Sequence, residues 1–145
     1  MQRLIYTSSA RHNLKAPHIT DILTTSRENN RKAGVTGLLI YHEGTFLQVL
    51  EGDKAVLDAL YARIRRDWRH SDCKMLLNEC VTGRAFAGWS MLYRLGEDMD
   101  ARHVRQLRDI RSAVESCETG DFASHPMLSV FLRAFLSNLR MHDAA

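Results

Sequence analysis

Apolar and polar positions change period several times along this chain, and each change marks an element. Residues 2–8 predict a strand, with Leu4, Tyr6 and Ser8 on one face. Residues 17–32 predict a helix, with Pro17 near its start and Gly34 just past its end. Residues 35–41 and 45–51 are apolar runs separated by His42-Glu43-Gly44, which predicts a hairpin. Asp53 or a neighbour opens a second helix that runs to about Asp67. Residues 74–82 and 90–95 are weaker strand candidates. The order β-α-β-β-α-β with an extra strand predicts an α+β, ferredoxin-like sheet. After about Glu97 the character changes: residues 100–114 and 125–140 read as helices, joined by a loop over residues 117–124. The expected organisation is a core over residues 1–95 and a helical cap over residues 96–145 of the same domain.

Face by face, the pattern says more. In the third predicted strand Phe46, Gln48 and Leu50 share one face, and Leu47 and Val49 share the other. Both faces are apolar, so both need cover. The two helices of a ferredoxin-like fold cover one face. The final helix carries Met127, Leu128, Phe131, Leu132, Phe135, Leu136 and Leu139, a wide stripe expected to cover the other. On the first helix Ile19, Leu23, Ser26 and Asn30 fall on one stripe, and on the second Val56, Leu60, Arg63 and Asp67 do. Each stripe begins apolar and ends polar. Two parallel helices lined this way predict a slot with greasy walls and a hydrogen-bonding end, suited to a flat heteroaromatic ligand.

Composition narrows the setting. The 145 residues are 45% hydrophobic and 26% charged, an ordinary balance for one soluble domain with a real core. The net charge of +3 is too small to argue for nucleic acid. Cys73, Cys80 and Cys117 form no C-x-x-C pair, which points to a reducing, cytoplasmic compartment. No run approaches the roughly 18 apolar residues of a membrane span. The histidines at 12, 18, 42, 70, 103, 125 and 142 show no metal-ligand spacing, so no metal is expected. There is no G-x-G-x-x-G, P-loop or G-x-S-x-G motif. Arg102, Arg105, Arg108 and Arg111 recur every third residue and read as a solvated basic face, or as a dock for an acidic partner.

Gln48 stands out because it interrupts the apolar run Phe46-Leu47-Gln48-Val49-Leu50. A buried primary amide without partners costs roughly 2–7 kcal/mol, so it must be hydrogen-bonded. It is also two-faced: rotation or tautomerisation exchanges donor and acceptor within nearly the same volume. Gln48 is therefore a structural fastener or a switch. Plain readings exist for its companions too. Tyr6 can be a core aromatic, Asn29 and Asn30 helix-termination chemistry, Arg63 a partner of Asp67 one turn on, and His70 a loop histidine. Trp89 and Met91 alternate onto one predicted strand face with Tyr93, for which packing is the default.

Taken in order, these segments resemble the BLUF domain, the blue-light sensor using flavin. The resemblance covers about residues 2–95. It is carried by Arg3-Leu4-Ile5-Tyr6-Thr7-Ser8, Asn29-Asn30, Gly34-Val35-Thr36-Gly37-Leu38-Leu39, Phe46-Leu47-Gln48-Val49-Leu50-Glu51-Gly52, Asp67-Trp68-Arg69-His70 and Trp89-Ser90-Met91. Each piece alone is weak, but their order and spacing are specific. The C-terminal helices resemble the cap of short, single-domain members only loosely.

The resemblance implies a noncovalent flavin (FAD, with FMN possible) between the two helices. Tyr6 matches the photoactive tyrosine and Gln48 the switching glutamine. Asn30 matches the asparagine at the N3/O4 edge of the ring, Ser26 a small polar residue near the glutamine and Asn29 the position beside the ring, and Leu39 and Phe46 are further expected flavin contacts. Arg63 matches a basic residue reaching the O2 side, and Asp67, Arg69 and His70 match polar positions around the site. Trp89 and Met91 match the pair that exchanges places near the glutamine and relays the signal. The implied activity is photoreception without turnover: Tyr6 gives an electron and a proton, Gln48 relays the proton, and the rearranged hydrogen bonds shift flavin absorption to the red. The output is expected through a separate protein partner or altered oligomerisation. The competing classes are a flavin-dependent redox enzyme and a ferredoxin-like module binding RNA or protein; an RNA reader would expose aromatics on its central strands.

Overall fold

A computed structural model describes residues 1–11, 14–117 and 120–143 of the chain, without the side chains of Glu97, Ala123, Arg140, Met141, His142 and Asp143. It separates into two units, Met1–Arg94 and Leu95–Ala145.

The first unit is the expected α+β sheet. Its strands are β1 (Gln2–Ala10), β2 (Thr36–His42), β3 (Thr45–Gly52) and β4 (His70–Cys80), with β5 (Leu92–Leu95) entering from the chain that joins the units. The helices are α1 (Ala16–Ala33) and α2 (Lys54–Ile64). The sheet order β4-β1-β3-β2-β5 is the ferredoxin-like order with the extra strand beside β2. β1 and β3 are antiparallel neighbours at its centre, with Tyr6 opposite Gln48 and Arg3 opposite Glu51. One sheet face and the two helices share the core of Leu4, Tyr6, Leu23, Val35, Leu39, Phe46, Leu50, Leu57 and Met91. Ile5, Leu38, Ile40, Leu47 and Val49, on the other face, are buried as well.

Two glycines fix the hairpin. Glu43 and Gly44 both have positive φ, at 49° and 77°, so the link is the two-residue type whose twist matches the flanking strands. At Gly37 an added Cβ would collide with the backbone carbonyl of Val49, so β2 and β3 approach there as only glycine permits.

Among the boundaries that differ from the sequence reading, three bear on the site. The second helix stops at Ile64, because Asp67 accepts hydrogen bonds from the Arg69 backbone N–H at 3.0 Å and from its guanidinium, a local turn that competes with the helix. The fourth strand starts at His70 rather than residue 74. Its period is masked by a positive φ at Asp72 and by two register shifts against β1. The fifth strand starts at Leu92 rather than residue 90, because the carbonyls of residues 89–91 accept from Gly37, Asn30 and Arg27 instead of joining a regular ladder.

The second unit holds α3 (Ala101–Ser116) and α4 (Pro126–Asp143). Asp100 caps α3 by accepting from the His103 N–H at 2.9 Å. His103 meets Phe135 edge-on, with centroids 6.0 Å apart. Leu128, Leu132, Phe135, Leu136 and Leu139 are buried, whereas Met127 of the expected stripe is exposed. Arg102, Arg105, Arg108 and Arg111 are all exposed, and Arg111 pairs with Glu115 at 3.1 Å.

Gly37→Ala is expected to destabilise the protein by at least about 1–3 kcal/mol through overpacking. The measurement is urea unfolding, with a lower midpoint at unchanged slope. An unchanged midpoint would mean that β2 and β3 separate freely at this crossing.

Candidate functional site

A cavity of about 190 Å³ opens among α1, α2 and the helix-covered face of the sheet. Tyr6, Ser26, Asn29, Asn30, Leu39, Phe46, Gln48, Arg63, Asp67, Arg69 and His70 all line it. The stripe predictions need adjustment. From α1, Ile22, Thr25, Ser26, Asn29 and Asn30 face the cavity, while Ile19 and Leu23 pack in the core. From α2, Leu60, Arg63 and Ile64 face it, while Val56 packs in the core and Asp67 arrives from the turn beyond the helix. Ile22, Leu39, Phe46 and Leu60 make an apolar wall, but the polar groups lie toward both ends and not one: the Asn30 carbonyl accepts from the Val35 N–H just before β2, and His70 bonds Ser8, which lies opposite Phe46 at the start of β3.

The centre of the site is set by strand register. Tyr6 and Gln48 are directly opposed on β1 and β3, and such pairs hold their Cβ atoms about 4.5–5.5 Å apart. The Tyr6 hydroxyl donates to Gln48 Oε1. Gln48 Nε2 in turn donates to Met91 Sδ at 3.6 Å, a weak acceptor. Both residues are buried, at 3% and 5% exposure, so the amide has traded water for a phenol and a thioether. Asn30 Nδ2 donates to the Ser90 carbonyl at 2.8 Å, which leaves one amide proton and its oxygen for the cavity.

Around this centre the polar groups divide into engaged and available. His70 is not in a loop: it is a buried strand residue whose Nε2 donates to the Ile64 carbonyl, so in the neutral ring Nδ1 accepts from Ser8 Oγ at 2.8 Å. Asp67 is taken by Arg69, not by Arg63. That contact with the Arg69 guanidinium holds the Asp67 carboxyl below its ordinary value, against the opposing effect of burial. Among the described residues the side chains of Ser26, Asn29 and Arg63 have no hydrogen-bond or ion-pair partner. The cavity therefore offers a cation, a hydroxyl and two carboxamides to a ligand whose rim carries carbonyls and ring nitrogens. An isoalloxazine has such a rim and a flat apolar body, so the residues present fit a flavin.

A family model described as sensors of blue-light using FAD matches residues 1–92. The chain belongs to this BLUF family. It is 37% identical over 93 residues to the photoactivated adenylate cyclase subunit alpha of Euglena gracilis, a match covering 63% of this chain and 9% of that protein. The beta subunit of Euglena gracilis is 34% identical over 93 residues, covering 63% and 11%. The chain thus spans about a tenth of the length of these curated relatives. The photo-activated state of BlsA superposes with a TM-score of 0.73 at 28% identity, covering 96% of this chain and 94% of that one. BlrB, a BLUF protein in its dark state, gives a TM-score of 0.69 at 28% identity, covering 94% and 96%. The protein is a blue-light photoreceptor of the flavin-binding type.

Within this BLUF fold the two relay candidates lie in different surroundings. Met91 is buried at 2% exposure beside Gln48, and Trp89 is 48% exposed. Both precede β5, so they do not alternate along one strand face as the sequence suggested. Tyr6 and Phe46 are buried, which removes the exposed central-strand aromatics that an RNA reader would need. The described residues hold no cluster suited to a metal ion; His12 lies outside them, as does the side chain of His142. Among the described residues no helix is long and apolar enough to cross a membrane.

Sequence reasoning missed Tyr61, whose ring lies 5.2 Å from that of Tyr6. Its signal was present: Leu57, Tyr61 and Ile64 follow i, i+4, i+7 on the α2 face beside the chosen stripe. Tyr6 ionises well above the ordinary value near 10, first because burial disfavours the phenolate, then because Cys73, Tyr61 and Asp67 would add negative charge nearby. The folded chain therefore keeps the Tyr6 proton to higher pH than the unfolded chain does. The associated stability is complete below about pH 10 and is lost as pH rises beyond it. Tyr6→Phe is expected to be less stable at neutral pH, since Gln48 Oε1 loses its donor, yet to lose stability less steeply above about pH 10. Urea unfolding between pH 8 and pH 11 measures both slopes, and identical slopes would contradict the cause given.

Proposed function

We propose that Tyr6 and Gln48 form the photochemical switch, and that Ser26, Asn29, Asn30, Leu39, Phe46, Arg63, Asp67, Arg69 and His70 hold the flavin ring. The observation that carries this reading is the chain of contacts from the Tyr6 hydroxyl through the Gln48 amide, both on the cavity wall, to Met91 in the core behind it. Flavin, when bound, supplies blue-light absorption and on excitation draws an electron from its surroundings. Tyr6 is the electron-rich neighbour. A charged phenol radical in this dry site is costly, so the proton leaves with the electron. Gln48 Oε1 already accepts that proton's hydrogen bond, so the amide would receive it at Oε1 and release another from Nε2, with the flavin, when bound, supplying the acceptor for both that proton and the electron. When electron and proton return to Tyr6, the amide is left rotated or tautomerised, and Met91 Sδ and the cavity meet a changed pattern of donors. Trp89 and Met91 then pass that change along the segment before β5.

The cofactor reading is FAD, with FMN possible. At about 190 Å³ the cavity is smaller than the roughly 300–1,000 Å³ that encloses a drug-sized ligand, which supports enclosure of the ring with the tail outside. No turnover is assigned to the chain. Its output passes to an unidentified protein partner or through self-association. A core over residues 1–95 and a helical cap over residues 96–145 belong to this reading as one domain. The free thiols of Cys73 and Cys80 support a reducing, cytoplasmic setting.

Absorption spectra of purified protein in the dark, under blue light and after return to dark test the function. A flavin spectrum that shifts slightly red and recovers is expected; irreversible bleaching would speak for a redox enzyme instead. Acid extraction and chromatography of the released flavin separate FAD from FMN. Tyr6→Phe is expected to keep the flavin and lose the photocycle, and an unaltered light response would remove Tyr6 from the scheme. Gln48→Leu is expected to stay yellow without the normal red shift. A red shift of wild-type size in that variant would sink the relay.

A further inference from the structure

The segment over residues 84–91 carries Met91 to Gln48 with no regular strand of its own, and it is held by two sets of tethers. At its far end the Gly37 N–H donates to the Trp89 carbonyl at 3.0 Å, Asn30 holds the Ser90 carbonyl at 2.8 Å, and Arg27 Nε holds the Met91 carbonyl at 3.1 Å. Asn30 and Gln48 line the cavity, so this end feels what happens there. At its near end the Glu51 carboxylate accepts from the Ala85 N–H at 2.8 Å and the Phe86 N–H at 2.9 Å. Arg84 reaches back and donates to the Gly34 carbonyl at 2.7 Å, Thr36 Oγ1 at 2.8 Å and the Glu51 carbonyl at 3.1 Å. Neither Glu51 nor Arg84 lines the cavity.

Glu51 is fully buried, at 0% exposure, and pairs with Arg3 at 2.8 Å. Every partner of its carboxylate is a donor: the Arg3 guanidinium, two backbone N–H groups and, at 3.5 Å, the Thr36 hydroxyl. Pulling the loop off this group would leave a buried charge short of partners, so the near end is the more costly one to move. Glu51 is also three residues along β3 from Gln48, and Arg3 three along β1 from Tyr6. One strand pair thus carries the switch at one point and the loop's anchorage at another.

We infer that Glu51 and Arg84 are positioning residues: they form the fixed pivot that presents Met91 to Gln48, so that light-driven change is confined to residues 89–91. The inference rests on the photoreceptor reading for its consequence, but the placement of Met91 can be read in darkness. Glu51→Gln puts amide protons against backbone N–H groups. Arg84→Ala removes three tethers and leaves the buried ion pair intact. Glu79→Gln removes an outer 3.6 Å partner of Arg3 without touching the loop and serves as the control.

The experiment is dark-state NMR of protein labelled at the methyl carbons of its six methionines, with Met91 assigned from Met91→Leu, followed by the rate of dark recovery after a blue pulse. In Glu51→Gln and Arg84→Ala the Met91 signal is expected to move or split with flavin still bound. Recovery is expected to change by about 2- to 30-fold, the range typical of mutations along a coupling network. Glu79→Gln is expected to match wild type in both. A lowered melting temperature with a wild-type Met91 signal and recovery rate would overturn the inference, showing a purely structural role. If Glu51→Gln does not fold, Arg84→Ala decides alone. A wild-type protein blind to light would count against the photoreceptor reading, while the Met91 signal would still decide the pivot.

Discussion

A single buried amide sets the terms for this structure. Gln48 sits on the central strand pair with water excluded, and an unpartnered amide there would cost several kcal/mol, roughly 2–7 by transfer arguments. Its two partners are unequal: a phenol donates to Oε1, and a thioether is the weak acceptor for Nε2. A strong fastener would bond both ends well. Here one end is held firmly and the other loosely, which lowers the cost of exchanging the two. The register of β1 against β3 is what makes this possible, since a slip of one residue would turn Gln48 to the opposite face of the sheet.

The same amide joins the cavity to the chain outside it. Asn30 faces the cavity with part of its carboxamide and holds the Ser90 carbonyl with the rest, and Gln48 faces both the cavity and Met91. Two side chains therefore read the interior and touch the segment that leads into β5. That segment, lacking a ladder of its own, depends on such contacts for its path. Its near end is held differently, by a buried carboxylate and an arginine remote from the cavity, so one stretch of eight residues combines a responsive end with a stiff one.

Charge is handled economically around the site. Asp67 and Arg69 neutralise one another at the cavity wall, which leaves Arg63 as a cation available to a ligand's carbonyl edge. His70, wedged between Ser8 and the Ile64 carbonyl, ties the start of β4 to β1 and to the end of α2. Burial keeps Tyr6 a neutral phenol, and so a hydrogen-bond donor to Gln48 rather than a phenolate.

Local pattern was enough for much of this. Period-2 alternation put Tyr6, Gln48 and Phe46 on one face, helical spacing put Ser26, Asn30, Leu60 and Arg63 toward one slot, and the residues nominated for the switch and the flavin contacts line the cavity, whereas the nominated relay pair, Trp89 and Met91, does not. Pattern misled where a polar or irregular segment takes its conformation from distant partners. Asp67 left the helix because Arg69 bonds it, β4 hid behind its register shifts, and residues 89–91 stayed out of β5 because Arg27, Asn30 and Gly37 hold their carbonyls. The sequence by itself determined which residues could meet, because side-chain direction follows from backbone period. Tertiary structure alone decided that Met91 and not Trp89 lies against Gln48, and that Glu51 holds the loop leading there, because those contacts join residues 34–43 positions apart and no local period reaches so far.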